Sequence, residues 1–284
     1  EFLRDALPES TWANRLERWG PLAFMEFRPL DVDRMRRLSI EVDRLGPYMV
    51  VCMWEEDSPY EIGGYLVVDN LSMGRPSMGG IRMLPDVTPA TIHNLARGMT
   101  LKNAAAGLPF GGGKSGIVAS TDLPPEEREA VIRGFARLIH RYRRIYLPGP
   151  DVGTNDDDMK TIAIENGLEG ALSKTGDMGG NRIDQLGAAA QSVFVAINTL
   201  LGEIDRLKIL PQFADLSLPG EEGLSVLIQG FGAVGAHAAK LLDEADYPAR
   251  ITGVSDVSGY LYDEAGLPVP ELLQRLQHGS GEPW

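Results

Sequence analysis

The sequence predicts an α/β protein of two domains. Short apolar runs bounded by turn residues indicate buried strands, and stretches with apolar residues at helical spacing lie between them. Late in the chain, a glycine-rich turn joins an apolar run to a helical stretch. The 284 residues, 43% of them hydrophobic, suffice for two ordinary domains. We expect the first domain at residues 1–180 and the second at residues 181–284.

Two strands and two helices are predicted in the first domain. The runs Met49–Met53 and Gly64–Val68 are typical of buried strands, and the acidic turn Glu55–Tyr60 separates them. Thr88–Leu101 and Pro125–Tyr142 have helical patterns, the second with its apolar side chains on one stripe and glutamates in its first turn. Both helices should therefore cover a sheet.

A further strand and a helix start are predicted later in this domain. Arg144–Tyr146 is a candidate strand, and two prolines stiffen the turn that follows it. Thr154, with Asp157 three residues later, indicates a helix start, because carboxylates are favoured near the free amide groups there. We favour this cap over the alternative, a metal site at residues 156–158.

The second domain is predicted to open with a strand-turn-helix-strand unit. The glycine-rich segment Gly176–Gly180 and a helix at Gly187–Leu201 form the junction between the domains. A short helix is expected near the end, at Pro270–Gln277. The unit itself comprises the strand Ser225–Gln229, the turn Gly230–Gly235, the helix Ala236–Leu242 and the strand Arg250–Asp256.

Charge and composition exclude several classes of partner. The 27 Lys and Arg against 40 Asp and Glu give a net charge of −13, which would repel nucleic-acid phosphates and anionic lipids. No apolar run approaches the roughly 18–20 residues of a membrane span, and we expect a cytoplasmic protein. Cys52 is predicted to be a small buried hydrophobe rather than a reactive thiol. The four histidines lack metal-ligand spacing, so no metal is predicted.

The turn Gly230–Gly235 fits the GxGxxG fingerprint of a Rossmann-type dinucleotide-binding domain. Its glycines permit a tight turn, a close approach of pyrophosphate and close helix packing, and the helix start attracts the anion. Asp256 ends the next strand, 21 residues after Gly235, where a carboxylate accepts from a ribose hydroxyl and repels the extra phosphate of NADP. NAD is therefore the predicted cofactor; the alternative is a turn that serves packing only. The predicted cofactor-binding residues are Gly230, Gly232, Ala233, Val234, Gly235 and Asp256.

Two lysines in the first domain occupy positions unusual for a solvated helix face. Lys102 lies near the end of a helix among small residues, and Lys114 follows three glycines. Glycines let a ligand pack against the backbone, and a second ammonium disfavours protonation of the first. A neutral lysine could then act as a base.

Asp151 is the candidate acid, in a rigid turn at the end of a predicted strand. Such a carboxylate suits proton transfer. The alternative is a turn aspartate bonded to its own backbone, which is the commoner fate of Asp in loops.

Together these motifs, in this order, resemble the glutamate/leucine/phenylalanine/valine dehydrogenase family over residues 40–270. The segments that carry the resemblance are Gly79–Met83, Met99–Gly116, Pro150–Gly153 and the nucleotide fingerprint. The resemblance implies that Lys102 pairs with the substrate α-carboxylate, that Lys114 activates water and polarises the carbonyl or imine carbon, and that Asp151 exchanges protons with the amino group. It also implies a homo-oligomer assembled through the first domain.

The same resemblance places Met78, Gly79 and Gly80 at the substrate side chain. Glutamate-specific members of the family carry a lysine just before the paired glycines, and this chain has Met78 there. Burying a side-chain carboxylate without a cation is costly, so an apolar or uncharged substrate is expected, with Arg75 as a possible substitute cation.

Two features depart from the family pattern. Ala189 replaces a threonine expected near the nicotinamide carboxamide. Only about 60 residues follow Ser225, whereas a complete dinucleotide fold has about six strands, so the Rossmann-type domain is expected to be truncated. Either the sequence is shortened, a second chain completes the domain, or cofactor binding has been lost.

The sequence thus predicts an N-terminal α/β substrate domain followed by a truncated Rossmann-type domain. The predicted function is NAD-dependent, reversible oxidative deamination of an L-amino acid to the 2-oxo acid and ammonia. Two alternatives stay open: a catalytically inert regulatory or structural subunit, and a module that binds an amino acid without nicotinamide.

Overall fold

A computed structural model describes residues 9–181, 187–217, 220 and 223–277. The chain divides into two compact units, Glu1–Arg182 and Ile183–Trp284. Among the helices of these described ranges, none combines the length and the apolar character needed to cross a membrane.

The first unit is built on a sheet that is seven-stranded in the described residues, with the order β1-β2-β3-β4-β6-β5-β7. Strands β1 to β4 and β6 are antiparallel neighbours, whereas β5 runs parallel to both β6 and β7. The strands are β1 (Leu16–Trp19), β2 (Leu22–Phe27), β3 (Met49–Glu55), β4 (Gly63–Asn70), β5 (Ser77–Leu84), β6 (Gly111–Val118) and β7 (Tyr146–Pro150). The helices are α1 (Glu9–Trp12), α2 (Val32–Arg37), α3 (Pro89–Ala105), α4 (Pro125–His140) and α5 (Asp156–Asn166).

The two predicted long helices cover opposite faces of this sheet. Helix α4 packs with α5 over one face, where Phe135, Ile139 and Tyr146 belong to one hydrophobic core. Helix α3 packs on β4 and β6 over the other face, where Ile92 belongs to a second core. That core includes Cys52, which is fully buried, and burial raises the pKa of its thiol to about 12. The prediction that Cys52 is a small buried core residue is therefore confirmed.

The boundaries differ from the sequence prediction at two places near β7. The strand begins at Tyr146 rather than Arg144, because the chain still turns after α4 and the Tyr142 amide donates to the Ile139 carbonyl. Helix α5 is capped by Asn155 instead of Thr154, in a capping box with Asp158. Thr154 is one residue too early, and its hydroxyl donates to a β5 carbonyl instead.

The second unit contains the predicted strand-turn-helix-strand arrangement. Strands β8 (Leu224–Gln229) and β9 (Ala249–Ser255) are parallel and are joined through helix α7 (Ala233–Asp243). A short strand β10 (Tyr260–Tyr262), which the sequence pattern did not predict, pairs antiparallel with β9. Helices α6 (Ala188–Leu207) and α8 (Val269–Gln277) complete the described part of this unit.

Candidate active site

Three charged side chains meet at the parallel part of the large sheet. The Lys114 Nζ on β6 lies 2.8 Å from the Asp151 Oδ1, just beyond the end of β7. The Nε of Arg82, on the intervening strand β5, donates to the Asp151 Oδ2 at 2.8 Å. The carboxylate is thus bonded through each of its oxygens to a different cation.

Glycines on either side of Lys114 let helix α3 approach β6 closely. A Cβ at Gly112 would lie 2.2 Å from the Thr100 amide nitrogen, and one at Gly116 would lie 2.6 Å from the Ile92 Cδ1. Alternation along β6 places these glycines and Lys114 on the same face. Lys114 is therefore only 5% exposed. At Gly112, the absent side chain makes room for the helix rather than for a ligand, which corrects the sequence expectation.

The paired glycines of β5 are required by packing as well. A Cβ at Gly80 would lie 2.8 Å from the Asp151 Cβ, so glycine at this position makes room for the carboxylate side chain. A Cβ at Gly79 would lie 1.8 Å from the Gly113 carbonyl oxygen. Met78 aligns with Gly112 on β6 and Leu147 on β7. Substrate contact by these three β5 residues, Met78 to Gly80, stays a prediction.

The turn that carries Asp151 is bonded to β5. The Asp151 amide donates to the Thr154 hydroxyl at 3.0 Å, and this hydroxyl donates to the Ile81 carbonyl at 2.7 Å. The Met83 amide donates to the Val152 carbonyl at 2.9 Å. The Asp151 carboxylate itself contacts Lys114 and Arg82 instead of its own backbone. The alternative of an ordinary turn aspartate is therefore contradicted.

The surroundings of Lys114 lower the pKa of its ammonium. Burial is the main cause that lowers the pKa of its ammonium, and the positive charges of Arg82 and Lys102 lower it further. The hydrogen bond and the charge of Asp151 raise this pKa, but the net shift is downward. A buried amine with a depressed pKa can accept a proton at a pH where an exposed lysine is protonated.

Lys102 lies in the last turn of α3, where its side chain is exposed. The positive charge of Lys102 lowers the pKa of Lys114, so the two predicted lysines are close enough to interact electrostatically. A cation at this helix end is also favoured by the helix dipole, which is a purely structural reason for a lysine here.

Arg82 is the residue of this cluster to which the sequence assigned no role. It lies inside the motif Gly79–Met83, between Ile81 and Met83, which are both fully buried. A single arginine within an apolar strand was the available signal, since a charge in such a position needs a partner.

In the second unit, the fingerprint turn is tight and leads directly into helix α7. Gly230 has a φ of +92°, and its amide and that of Phe231 both donate to the Ser255 carbonyl. A Cβ at Gly235 would lie 2.0 Å from the Gly230 carbonyl oxygen, so α7 packs closely on the turn. A Cβ at Gly232 would meet no atom of the described chain within 4 Å, which leaves open space before the exposed first-turn residues Ala233 and Val234. These features fit a dinucleotide diphosphate.

Asp256 follows β9 and is exposed. Its Oδ1 accepts hydrogen bonds from the Ser258 amide at 2.7 Å, the Ser258 hydroxyl at 2.6 Å and the Gly259 amide at 3.2 Å. These local hydrogen bonds hold the carboxylate just after β9, the strand that pairs with β8, which precedes the fingerprint turn. Ala189, the departure near the expected nicotinamide, lies exposed in the first turn of α6, and residues 182–186 before it fall outside the described residues.

The chain thus joins an α/β unit with a buried Lys–Asp pair to a unit with a GxGxxG turn, and these are the motifs that carried the family resemblance. Residues 48–166 match the model of the Glu/Leu/Phe/Val dehydrogenase dimerisation domain, and residues 179–281 match that of Glutamate/Leucine/Phenylalanine/Valine dehydrogenase. The chain belongs to the glutamate/leucine/phenylalanine/valine dehydrogenase family.

Similar curated proteins include two glutamate dehydrogenases. The NADP-specific enzyme of Saccharolobus shibatae is 31% identical over 262 residues, which are 89% of this chain and 58% of the relative. The NAD-specific enzyme of Staphylococcus aureus is 34% identical over 215 residues, which are 75% of this chain and 50% of the relative. The chain thus spans about half the length of the curated relatives it matches.

Solved structures of glutamate dehydrogenases share the fold. The hetero-hexameric glutamate dehydrogenase from Thermus thermophilus, in its Leu bound form, has 28% identity and a TM-score of 0.63, covering 79% of this chain and 52% of that one. The glutamate dehydrogenase from Peptoniphilus asaccharolyticus has 27% identity and a TM-score of 0.55, covering 77% and 55%.

The depressed pKa of Lys114 predicts a specific dependence of stability on pH. Between the folded-state pKa of Lys114 and its unfolded value of about 10.4, the unfolded chain binds more protons, so stability rises with pH in that window. The variant Lys114→Met, which leaves Asp151 paired with Arg82, should be at least as stable as the wild type at pH 7. As the pH rises toward about 10.4, the unfolding free energy of the wild type should increase relative to that of Lys114→Met.

Urea unfolding of both proteins across this pH range measures the difference. The exposed Lys240→Met, in the last turn of helix α7, serves as the control and should change the unfolding free energy by less than about 0.5 kcal/mol. A stability advantage of Lys114→Met that grows with pH would contradict this assignment of the lysine.

Proposed function

We propose that the protein is a nicotinamide-dependent amino-acid dehydrogenase that interconverts an L-amino acid with its 2-oxo acid and ammonia. The observation that carries the proposal is the 2.8 Å contact between the ammonium of buried Lys114 and the carboxylate of Asp151. Family membership supports it, and the named glutamate dehydrogenases among the relatives are enzymes of this reaction class.

The roles of the side chains follow from their chemistry and from the family pattern. Lys102, exposed at the end of α3, is assigned to the substrate α-carboxylate. Lys114 in its neutral form takes a proton from water, and in its charged form it polarises the carbonyl or imine carbon. Asp151 exchanges protons with the amino group, because its Oδ1 is already hydrogen-bonded to a proton carrier. When bound, nicotinamide supplies the hydride chemistry.

The first unit supports assembly of several copies. The family model that it matches is described as a dimerisation domain. We therefore propose a homo-oligomer whose subunits meet through this unit.

Loss of the Asp151 charge tests the proposed function. Asp151→Asn keeps the shape of the side chain but cannot carry a proton between Lys114 and the amino group. We expect kcat for oxidative deamination to fall about 100-fold or more, with a smaller change in the affinity for the amino acid.

The matched control is Asp157→Asn, an exposed carboxylate in the first turn of α5. It should leave kcat within about twofold of the wild type. Absence of turnover in the wild-type chain despite bound NADH, or full activity of Asp151→Asn, would overturn the proposal.

The cofactor is proposed to be NAD. The turn residues Gly230, Gly232 and Gly235 and the start of α7, with Ala233 and Val234, would hold the diphosphate. The exposed Asp256 would accept from the ribose. The curated relatives include both an NAD-specific and an NADP-specific enzyme, so the choice of NAD depends on Asp256.

Replacing this carboxylate should shift the preference toward NADP. With Asp256→Ser, we expect the ratio of the NADPH to NADH dissociation constants to fall about tenfold or more, because charge repulsion of the 2′-phosphate is removed. Calorimetric titration of both cofactors into the full chain measures the ratio. Asp263→Ser, an exposed carboxylate after β10, is the control and should leave the ratio unchanged. The same ratio for both variants would exclude Asp256 as the determinant.

The substrate side chain is proposed to be apolar or uncharged. Met78 stands where glutamate-specific members of the family carry a lysine, and its side chain cannot pair with a second carboxylate. The relatives named above are glutamate dehydrogenases, so under this proposal the chain prefers a different amino-acid substrate from theirs.

A substrate panel and one gain-of-charge variant test the role of Met78. The wild type should show higher kcat/KM for leucine, phenylalanine or valine than for glutamate. Met78→Lys should raise kcat/KM for glutamate about tenfold or more, because it supplies the missing cation. Met78→Gln, of similar length and no charge, is the control. A wild-type preference for glutamate would contradict the proposal and would direct attention to Arg75.

A further inference from the structure

Arg82 contacts the candidate acid from the side opposite to Lys114. Its Nε donates to the Asp151 Oδ2 at 2.8 Å, while the Lys114 Nζ lies 2.8 Å from Oδ1. The side chains of Arg82 and Asp151 are 22% and 20% exposed, so the contact is largely shielded from water. Arg82 aligns with Gly116 on β6, which places it on the face of the sheet that helix α3 covers.

We propose that Arg82 is a positioning residue of the active site, which holds one oxygen of Asp151 so that the other oxygen alone serves proton exchange with Lys114. The inference rests on the proposed function, in which Lys114 and Asp151 are the proton carriers.

The chemistry of the two cations explains this division of the carboxylate. An ammonium is a compact charge that bonds equally well to either oxygen, so Lys114 alone would not define the orientation of Asp151. A guanidinium is planar, directional and always charged, and it therefore orients the carboxylate. Arg82 comes from a strand that lies between β6 and β7, so its position is determined by the sheet itself.

The charge of Arg82 also opposes protonation of Lys114. Burial, Arg82 and Lys102 each lower the pKa of the Lys114 ammonium, whereas Asp151 raises it. The hydroxyl of Tyr146, on the other face of the sheet, bonds to Ser115 and Gly79 and stays protonated, because burial raises its pKa.

The other charges on the elements next to β6 are engaged with one another. Asp69, on β4, is fully buried and accepts hydrogen bonds from Arg97 and Thr100 of helix α3. His93 of the same helix lies 3.7 Å from Asp69. Arg82 and Lys102 are thus the cations whose charges act on Lys114 against Asp151.

Removal of Arg82 should therefore favour the charged form of Lys114 in two ways. One repelling cation disappears, and both oxygens of Asp151 become available to the ammonium. We expect Arg82→Met to raise the pKa of Lys114 by about one pH unit. Arg82→Lys keeps the charge and should leave most of the wild-type value.

Direct titration of the lysine tests this without reference to turnover. The chain has six lysines, so carbon-13 labelling at lysine Cε gives few NMR signals, and Lys114→Arg assigns the relevant one. The full chain, Arg82→Met and Arg82→Lys are titrated in parallel. Arg133→Met is the matched control, because it removes another arginine ion pair of the first unit, that with Glu165 and Glu129.

A Lys114 titration shifted to higher pH in Arg82→Met, but not in Arg82→Lys or Arg133→Met, supports the proposal. An unshifted titration in Arg82→Met, or an equal shift in Arg133→Met, overturns it. If Arg82→Met does not fold, Arg82→Gln, which keeps a donor without the charge, takes its place with the same expectations.

The kinetic readout separates this proposal from the proposed function. In an active enzyme, the acidic limb of the kcat/KM profile should move to higher pH by the same amount as the Lys114 titration. If the wild-type chain shows no turnover, the proposed function fails, and the NMR titration alone still decides whether Arg82 controls the protonation of Lys114.

Discussion

The structure of the first unit depends on accommodating one buried ammonium, that of Lys114. A charge in the interior is expensive unless a carboxylate meets it directly, and the sheet supplies Asp151 from two strands away. Helix α3 can cover this lysine because residues 112 and 116 are glycines. The carboxylate can reach it because residue 80 on the intervening strand is also a glycine. The packing of helix α3 and the pairing of Lys114 with Asp151 thus both require glycines around the lysine.

The site lies where the sheet changes from antiparallel to parallel strands. Strands β6, β5 and β7 are parallel, so side chains near corresponding positions point toward the same edge and face. Three separate segments of the chain can then contribute one charged group each to a small volume. Glycine weakens a strand, yet β5, β6 and β7 all contain glycines near the three charged side chains.

The sequence predicted the regular parts of this fold better than the site strands. Strands β3 and β4 and helices α3 and α4 follow from apolar periodicity, because their side chains pack in the ordinary way. Strands β5 and β6 contain Gly79, Gly80 and Gly111 to Gly113. Because glycine has a low strand propensity, the sequence pattern did not indicate these strands, which form through tertiary packing. The motifs did lead to Lys114 and Asp151, which the structure joins at 2.8 Å. A lone arginine in an apolar strand indicated that Arg82 needs a partner, but only the structure identifies that partner, Asp151, because it is distant in sequence.

The turn after β7 has a consequence for the energetics of ligand association. Its backbone is tied to β5 through the Thr154 hydroxyl and the Val152 carbonyl, and its carboxylate is already held by two cations. Under the proposed function, an amino acid that binds here would meet a carboxylate that is already ordered by folding, so binding would cost little conformational entropy of Asp151. Such preorganisation lets binding energy be used for discrimination between molecules instead of for ordering the protein.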